Sequence, residues 1–189
     1  AFLPDGRLVT GGMDGTLKLW DLATGKRVGS LDGVRDSVVA IDVVPEPTRL
    51  VVAHTDTRIR VWDPEAGVVL KTLAGSGAGI SSLRVVPRTD HLVVAGADET
   101  VLVHHLDTGE TLRALEGHST STTLSASFSP DGKWILSGGV EKATRLWEAA
   151  TGRLVRTFDG HGGGTSVARF SPDGTRVLTT RGWPQPVAQ

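Results

Sequence analysis

The stretch from Gly117 to Gly160 decides the fold. It opens on Gly117-His118 and runs through the apolar-alternating Leu124-Ser125-Ala126-Ser127-Phe128. The turn Ser129-Pro130-Asp131-Gly132 follows, then a strand from Lys133 to Ser137 and the tight turn Gly138-Gly139-Val140-Glu141. A third strand ends at Leu146-Trp147-Glu148, Thr151-Gly152 turns the chain, and Leu154 to Phe158 leads into Gly160-His161. Alternation of apolar and polar residues marks strands packed on one face, and Gly, Pro and Asp punctuate them. The result is four short strands in about forty residues, joined by turns.

The stretch recurs along the chain. Trp20 and Trp62 are 42 residues apart, a further 42 reaches His104, and 43 more reaches Trp147. The turn acids Asp14, Asp56, Asp98 and Glu141 each stand six before those positions. The turn glycines Gly25, Gly67, Gly109 and Gly152 keep the same register, as do Gly33, Gly75, Gly117 and Gly160 between repeats. Four markers in one register specify an array of identical supersecondary units. On the Gly-His…Asp…Trp-Asp pattern at this period, the chain resembles the WD-repeat (WD40) family. That resemblance implies an all-β protein, a β-propeller of four-stranded antiparallel blades. It says nearly nothing about function, because function lives in sites carried by a fold.

The chain divides as a partial blade 1 over 1–33, blade 2 over 34–75, blade 3 over 76–117, blade 4 over 118–160 and a partial blade 5 over 161–189. Phe2-Leu3-Pro4-Asp5-Gly6 matches Phe128-Ser129-Pro130-Asp131-Gly132, so the first blade lacks most of its first strand. The pattern stops after Arg176 to Thr179, at Arg181-Gly182-Trp183-Pro184. Seventeen strands are expected in a single propeller fragment: an open arc of about four blades from a ring of about seven, as the resemblance implies.

A net charge of −1 argues against a dominant electrostatic attraction to nucleic acid or anionic membrane. With no cysteine there are no disulfides and no thiolate metal sites. No uninterrupted apolar run approaches the length that spans a bilayer, and no charged-then-apolar leader opens the chain. The compartment stays open, with the cytoplasm favoured; the expectation is a protein with no cofactor and no metal, a protein partner, no nucleic acid and no membrane insertion.

Ser137, His118 and Glu141 have the residue types of a nucleophilic triad. The resemblance implies instead that these three and Trp147 form a hydrogen-bonded tetrad inside the blade. No oxyanion-hole signature accompanies the serine. The other repeats keep the set in part: Thr10, Asp14 and Trp20 in blade 1, Asp56 and Trp62 in blade 2, and Asp98 alone in blade 3. Val34 and Val52 replace the histidine and the hydroxyl in blade 2, and Ser76, Val94 and His104 stand at the remaining blade 3 positions. Such graded loss is the behaviour of structural reinforcement. Glu141 is a methylene longer than the family's Asp. His104-His105 suggests a metal pair, but adjacent strand residues face opposite ways and cannot share an ion. Gly75-Ser76-Gly77-Ala78-Gly79 and Gly162-Gly163-Gly164 lack the Gly-Lys-Ser/Thr and helix of a phosphate loop.

Two functions follow. One is a non-catalytic scaffold presenting a propeller rim to a protein partner; the other is the regulatory or sensor propeller of a larger multidomain enzyme such as a kinase or protease. The expected partner surface is the face with the inter-blade loops and acid-bearing turns. It comprises Met13, Arg35, Asp36, His54, Thr55, Ser119, Thr120 and Lys142. These positions escape the repeat pattern, so packing does not dictate them.

Overall fold

A computed structural model describes residues 1–86, 89–118, 123–141, 143–159 and 164–181. Within them are seventeen strands and no helix. Where the sequence suggests one continuous domain, the chain's contacts divide it into two compact units, Ala1–Ile80 and Ser81–Gln189.

The first unit holds two sheets. Strands β1 (Leu8–Gly11), β2 (Leu17–Trp20) and β3 (Arg27–Leu31) form one, in that order. Ala1 and Val9 exchange backbone hydrogen bonds at 2.9 and 2.8 Å, and Phe2 bridges Leu8, a rudiment of a fourth strand. The second sheet is β4 (Val38–Val44), β5 (Arg49–His54), β6 (Arg58–Asp63) and β7 (Val68–Ala74).

The second unit, whose first strand begins on the boundary residue, holds three more sheets. One is β8 (Ile80–Val85), β9 (His91–Gly96), β10 (Val101–His105) and β11 (Thr111–Leu115). The next is β12 (Thr123–Phe128), β13 (Trp134–Gly139), β14 (Ala143–Glu148) and β15 (Leu154–Asp159). The last pairs β16 (Thr165–Phe170) with β17 (Val177–Arg181). All pairings are antiparallel between consecutive strands, the four-stranded blades read from the sequence.

Each four-stranded sheet buries both faces at its second strand. Leu50, Val51, Val52 and Ala53 of β5 are all fully buried, and so are Leu92 to Ala95 of β9. This explains why those strands read as continuous apolar runs: a strand covered on both sides has no polar face to alternate with. The outer strands are the opposite, with most residues of β7 and β15 exposed. Trp62 packs with Leu3, Val9, Leu17, Leu19 and Leu31, residues of the neighbouring sheet in its unit. Trp147 does the same with Val93, Ala95, Val101 and Val103.

Two devices permit that packing. A β-bulge falls directly before the ring residue in all four complete third strands: Leu19/Trp20, Val61/Trp62, Val103/His104 and Leu146/Trp147. A bulge re-aims the side chain that follows it. The residue after the hydroxyl position is also small in the first four sheets: Gly11, Ala53, Ala95 and Gly138. A Cβ on Gly138 would lie 2.8 Å from Thr165 Cγ2, and one on Gly11 only 2.3 Å from Val38 Cγ1. The sheets approach too closely there for a larger side chain.

Candidate functional site

The acid-bearing turns are built from aspartate side chains that accept from the backbone two residues on. Asp14 receives Thr16 N at 3.1 Å, Asp56 receives Arg58 N at 3.1 Å and Asp98 receives Thr100 N at 3.0 Å. This local bond supplies the turn without a long loop, which is why the acid recurs at a fixed place. The Thr16 bonds also hold the Asp14 carboxyl below its usual range.

In blade 4 a chain of buried bonds runs inward from that turn. Trp147 Nε1 donates to Ser137 Oγ at 2.7 Å, and Ser137 Oγ lies 2.7 Å from His118 Nε2. His118 Nδ1 meets the Glu141 carboxylate, which Arg145 also grips. One assignment satisfies every member: indole N–H to serine, serine O–H to Nε2, and Nδ1–H to the carboxylate. Burial of the ring and the adjacent guanidinium push the His118 pKa down to about 4, so the imidazole is neutral at pH 7. Arg145 supplies the positive charge that Glu141 needs, and its own pKa is lowered by burial. The longer glutamate side chain thus reaches both partners at once.

The other repeats are simpler. In blade 1, Trp20 Nε1 donates to Thr10 Oγ1 at 2.8 Å. In blade 2 the Trp62 indole N–H is buried with no partner among the described residues, as Val52 at the hydroxyl position requires. In blade 3, His104 is buried with Nδ1 3.2 Å from Thr111 Oγ1, while its Nε2 has no partner among the described residues. His105 turns the other way: its Nδ1 accepts from Asp107 N at 3.2 Å and its ring meets His91 edge-on.

Sequence reasoning missed the basic residue four after the turn acid. Lys18 lies 3.7 Å from Asp14, Arg60 2.6 Å from Asp56, and Arg145 contacts Glu141. The signal was available as a cation always two residues before the ring position, broken only by Leu102.

Of the expected partner surface, Met13 is 88% exposed, and Arg35 and Thr55 are exposed as well. Asp36 is half-buried, its carboxylate 3.9 Å from Arg60. His54 corrects the expectation: it is fully buried. Its Nδ1 donates to the Asp36 carbonyl at 2.9 Å, and burial lowers its pKa. It ends β5, the strand with both faces covered, so its position after the pattern breaks does not bring it to the surface. Ser119, Thr120 and Lys142 lie outside the described residues.

The family model described as "WD domain, G-beta repeat" matches five times, at residues 1–21, 25–63, 67–105, 109–148 and 152–183. The chain belongs to the WD40 family. Each internal match starts with the outer strand of one sheet and continues with three strands of the next, so sequence repeat and sheet are out of phase. Among characterised relatives, a guanine nucleotide-binding protein subunit beta of Arabidopsis thaliana is 43% identical over 65 residues, 33% of this chain and 17% of that protein. A Notchless protein homolog of Arabidopsis thaliana is 56% identical over 36 residues, 19% of this chain and 8% of that protein. A eukaryotic translation initiation factor 3 subunit I of Phaeosphaeria nodorum is 40% identical over 52 residues, 26% of this chain and 15% of that protein. The chain therefore spans less than a fifth of each relative's length. No helix among the described residues is long and apolar enough to cross a membrane.

Proposed function

We propose that the protein is a non-catalytic interaction module whose acid-bearing turns and lead-in loops present a surface to a protein partner. One observation carries this reading: among the described residues, the one serine, histidine and acid that gather like a catalytic set are turned inward and spent on one another. Ser137 is fully buried, with its oxygen shared between Trp147 and His118. A nucleophile needs an open position and donors for the developing oxyanion. Membership of the WD40 family supports the same reading, as do the solvent-exposed Met13, Arg35 and Thr55.

The test uses the rim without touching the core. A triple variant Met13→Asp, Arg35→Glu, Thr55→Arg should keep its melting temperature, since these side chains are exposed. A partner captured by crosslinking to the wild-type chain and then purified should bind that variant at least tenfold more weakly. Equal binding would overturn the rim assignment. Labelling of Ser137 by a fluorophosphonate would overturn the non-catalytic one.

A further inference from the structure

The second unit has a groove at the strand ends opposite the acid-bearing turns, where the β12–β13 and β14–β15 turns lie beside β9 to β11. Its volume is about 540 Å³, within the range of sites that hold a ligand. The walls are apolar: Val86, Val103, Phe128, Trp134 and Ala149. The mouth is basic, with Arg113 and Lys133.

The groove owes its existence to residue choices that the repeat does not demand. At the same register in the first unit, Arg49 stands for Trp134 and Val43 for Phe128. There the buried Pro64 takes the place of Ala149, and Glu65, ion-paired to Arg7, that of Ala150. In the second unit two aromatic rings and two alanines coincide, which opens a lined hollow.

The charge at its mouth is compensated only in part. Arg113 donates Nε and Nη2 to the Ala150 carbonyl at 3.2 and 2.9 Å and Nη1 to the Leu112 carbonyl. Among the described residues no carboxylate pairs with it. Lys133 has only an exposed contact to Asp131 at 3.4 Å. The wall carboxylate Glu148 is engaged by Thr151 at 2.6 Å and by Arg153 at 3.7 Å. Positive groups at the rim of an apolar hollow select a ligand with an apolar body and carboxylates beside it.

We propose that this groove is a second docking site, taking a large apolar side chain from an acidic segment of a protein partner. It rests on the interaction-module reading only in that the occupant is protein. The experiment is an array of nonapeptides with aspartate and glutamate flanks and each of the twenty residues at the centre, probed with the labelled protein. Binding should peak for phenylalanine, tryptophan, leucine or isoleucine at the centre. It should fall at least tenfold when the flanks are lysine, and at least tenfold for the double variant Arg113→Glu, Lys133→Glu, whose side chains are exposed. Trp134→Ala should weaken binding while the melting temperature of the charge variant confirms a folded chain. A blank array, or signals indifferent to the central residue, the flank charge or the double variant, would overturn the groove. Rim binding lost on the Met13, Arg35 and Thr55 substitutions would still stand in that case, so the two readings fail separately.

Discussion

Blades 2 and 4 share strand order, register and bulge, yet they are held together by different chemistry. Ser137 opposes Arg145 across β13 and β14, and Val52 opposes Arg60 across β5 and β6. In blade 4 the hydroxyl anchors a buried polar chain of four residues, with a cation closing it. In blade 2 the same site is aliphatic, the indole N–H has no partner among the described residues, and the cation serves the half-buried acids Asp56 and Asp36. Both sheets form. The backbone pattern and the apolar burial are therefore sufficient for a blade, and the polar network is an addition whose removal is costly only where it already exists. A buried donor without a partner has lost its water with no bond in return, a cost that blade 2 already carries at the Trp62 N–H and that mutation would newly impose on blade 4.

The sharpest way to break the comparison is Ser137→Ala. It strands both Trp147 Nε1 and His118 Nε2, and should cost about 3 kcal/mol, at the upper end for a lost buried partner. Urea unfolding, with amide exchange of blade 4 peptides to localise the loss, measures it. No chemical activity should disappear with it.

Acid should act on blade 4 nearly as strongly. His118 titrates near 6.5 when unfolded and at about 4 when folded. The unfolded chain therefore takes up a proton first, and stability falls as pH drops from about 6.5 to about 4, by up to about 3 kcal/mol. Above pH 6.5 this contribution is complete. Burial also lowers the His54 and His104 pKa values, so they add in the same direction. Denaturation midpoints at a series of pH values check this, and His118→Gln should flatten the slope.

Blade 2 offers the converse. Val52→Thr places a hydroxyl where Thr10 serves Trp20, and should stabilise by up to about 1 kcal/mol through the Trp62 N–H. A loss of stability would show that the aliphatic contact outweighs the bond. The smallest effects belong to the repeat-locked ion pairs. Arg60→Ala should cost about 1 kcal/mol because its partners are partly buried, and Lys18→Ala should cost less still at an exposed pair. High salt should erase the second and leave most of the first.

The repeat made the strands legible, since turn residues at fixed offsets mark where each must end. The expected Lys133 to Ser137 and Leu154 to Phe158 are found as Trp134–Gly139 and Leu154–Asp159, displaced by one or two residues at an end. Hydroxyl, acid and ring positions were legible for the same reason: a fixed register puts each at one place in every blade. Local pattern did not reveal which of them find partners. The bond from Nδ1 to Glu141 depends on Arg145 arriving from the next strand, and burial of His54 depends on cover from both faces of β5. The groove beside Trp134 depends on small residues at Ala149 and Ala150, separated from it by a full strand. The sequence alone determined the order, ends and pairing of the strands, because those follow from periodicity and turn chemistry within a few residues. Burial, protonation and hollow space were decided only by the tertiary structure, because each is a property of what other strands bring to the same point.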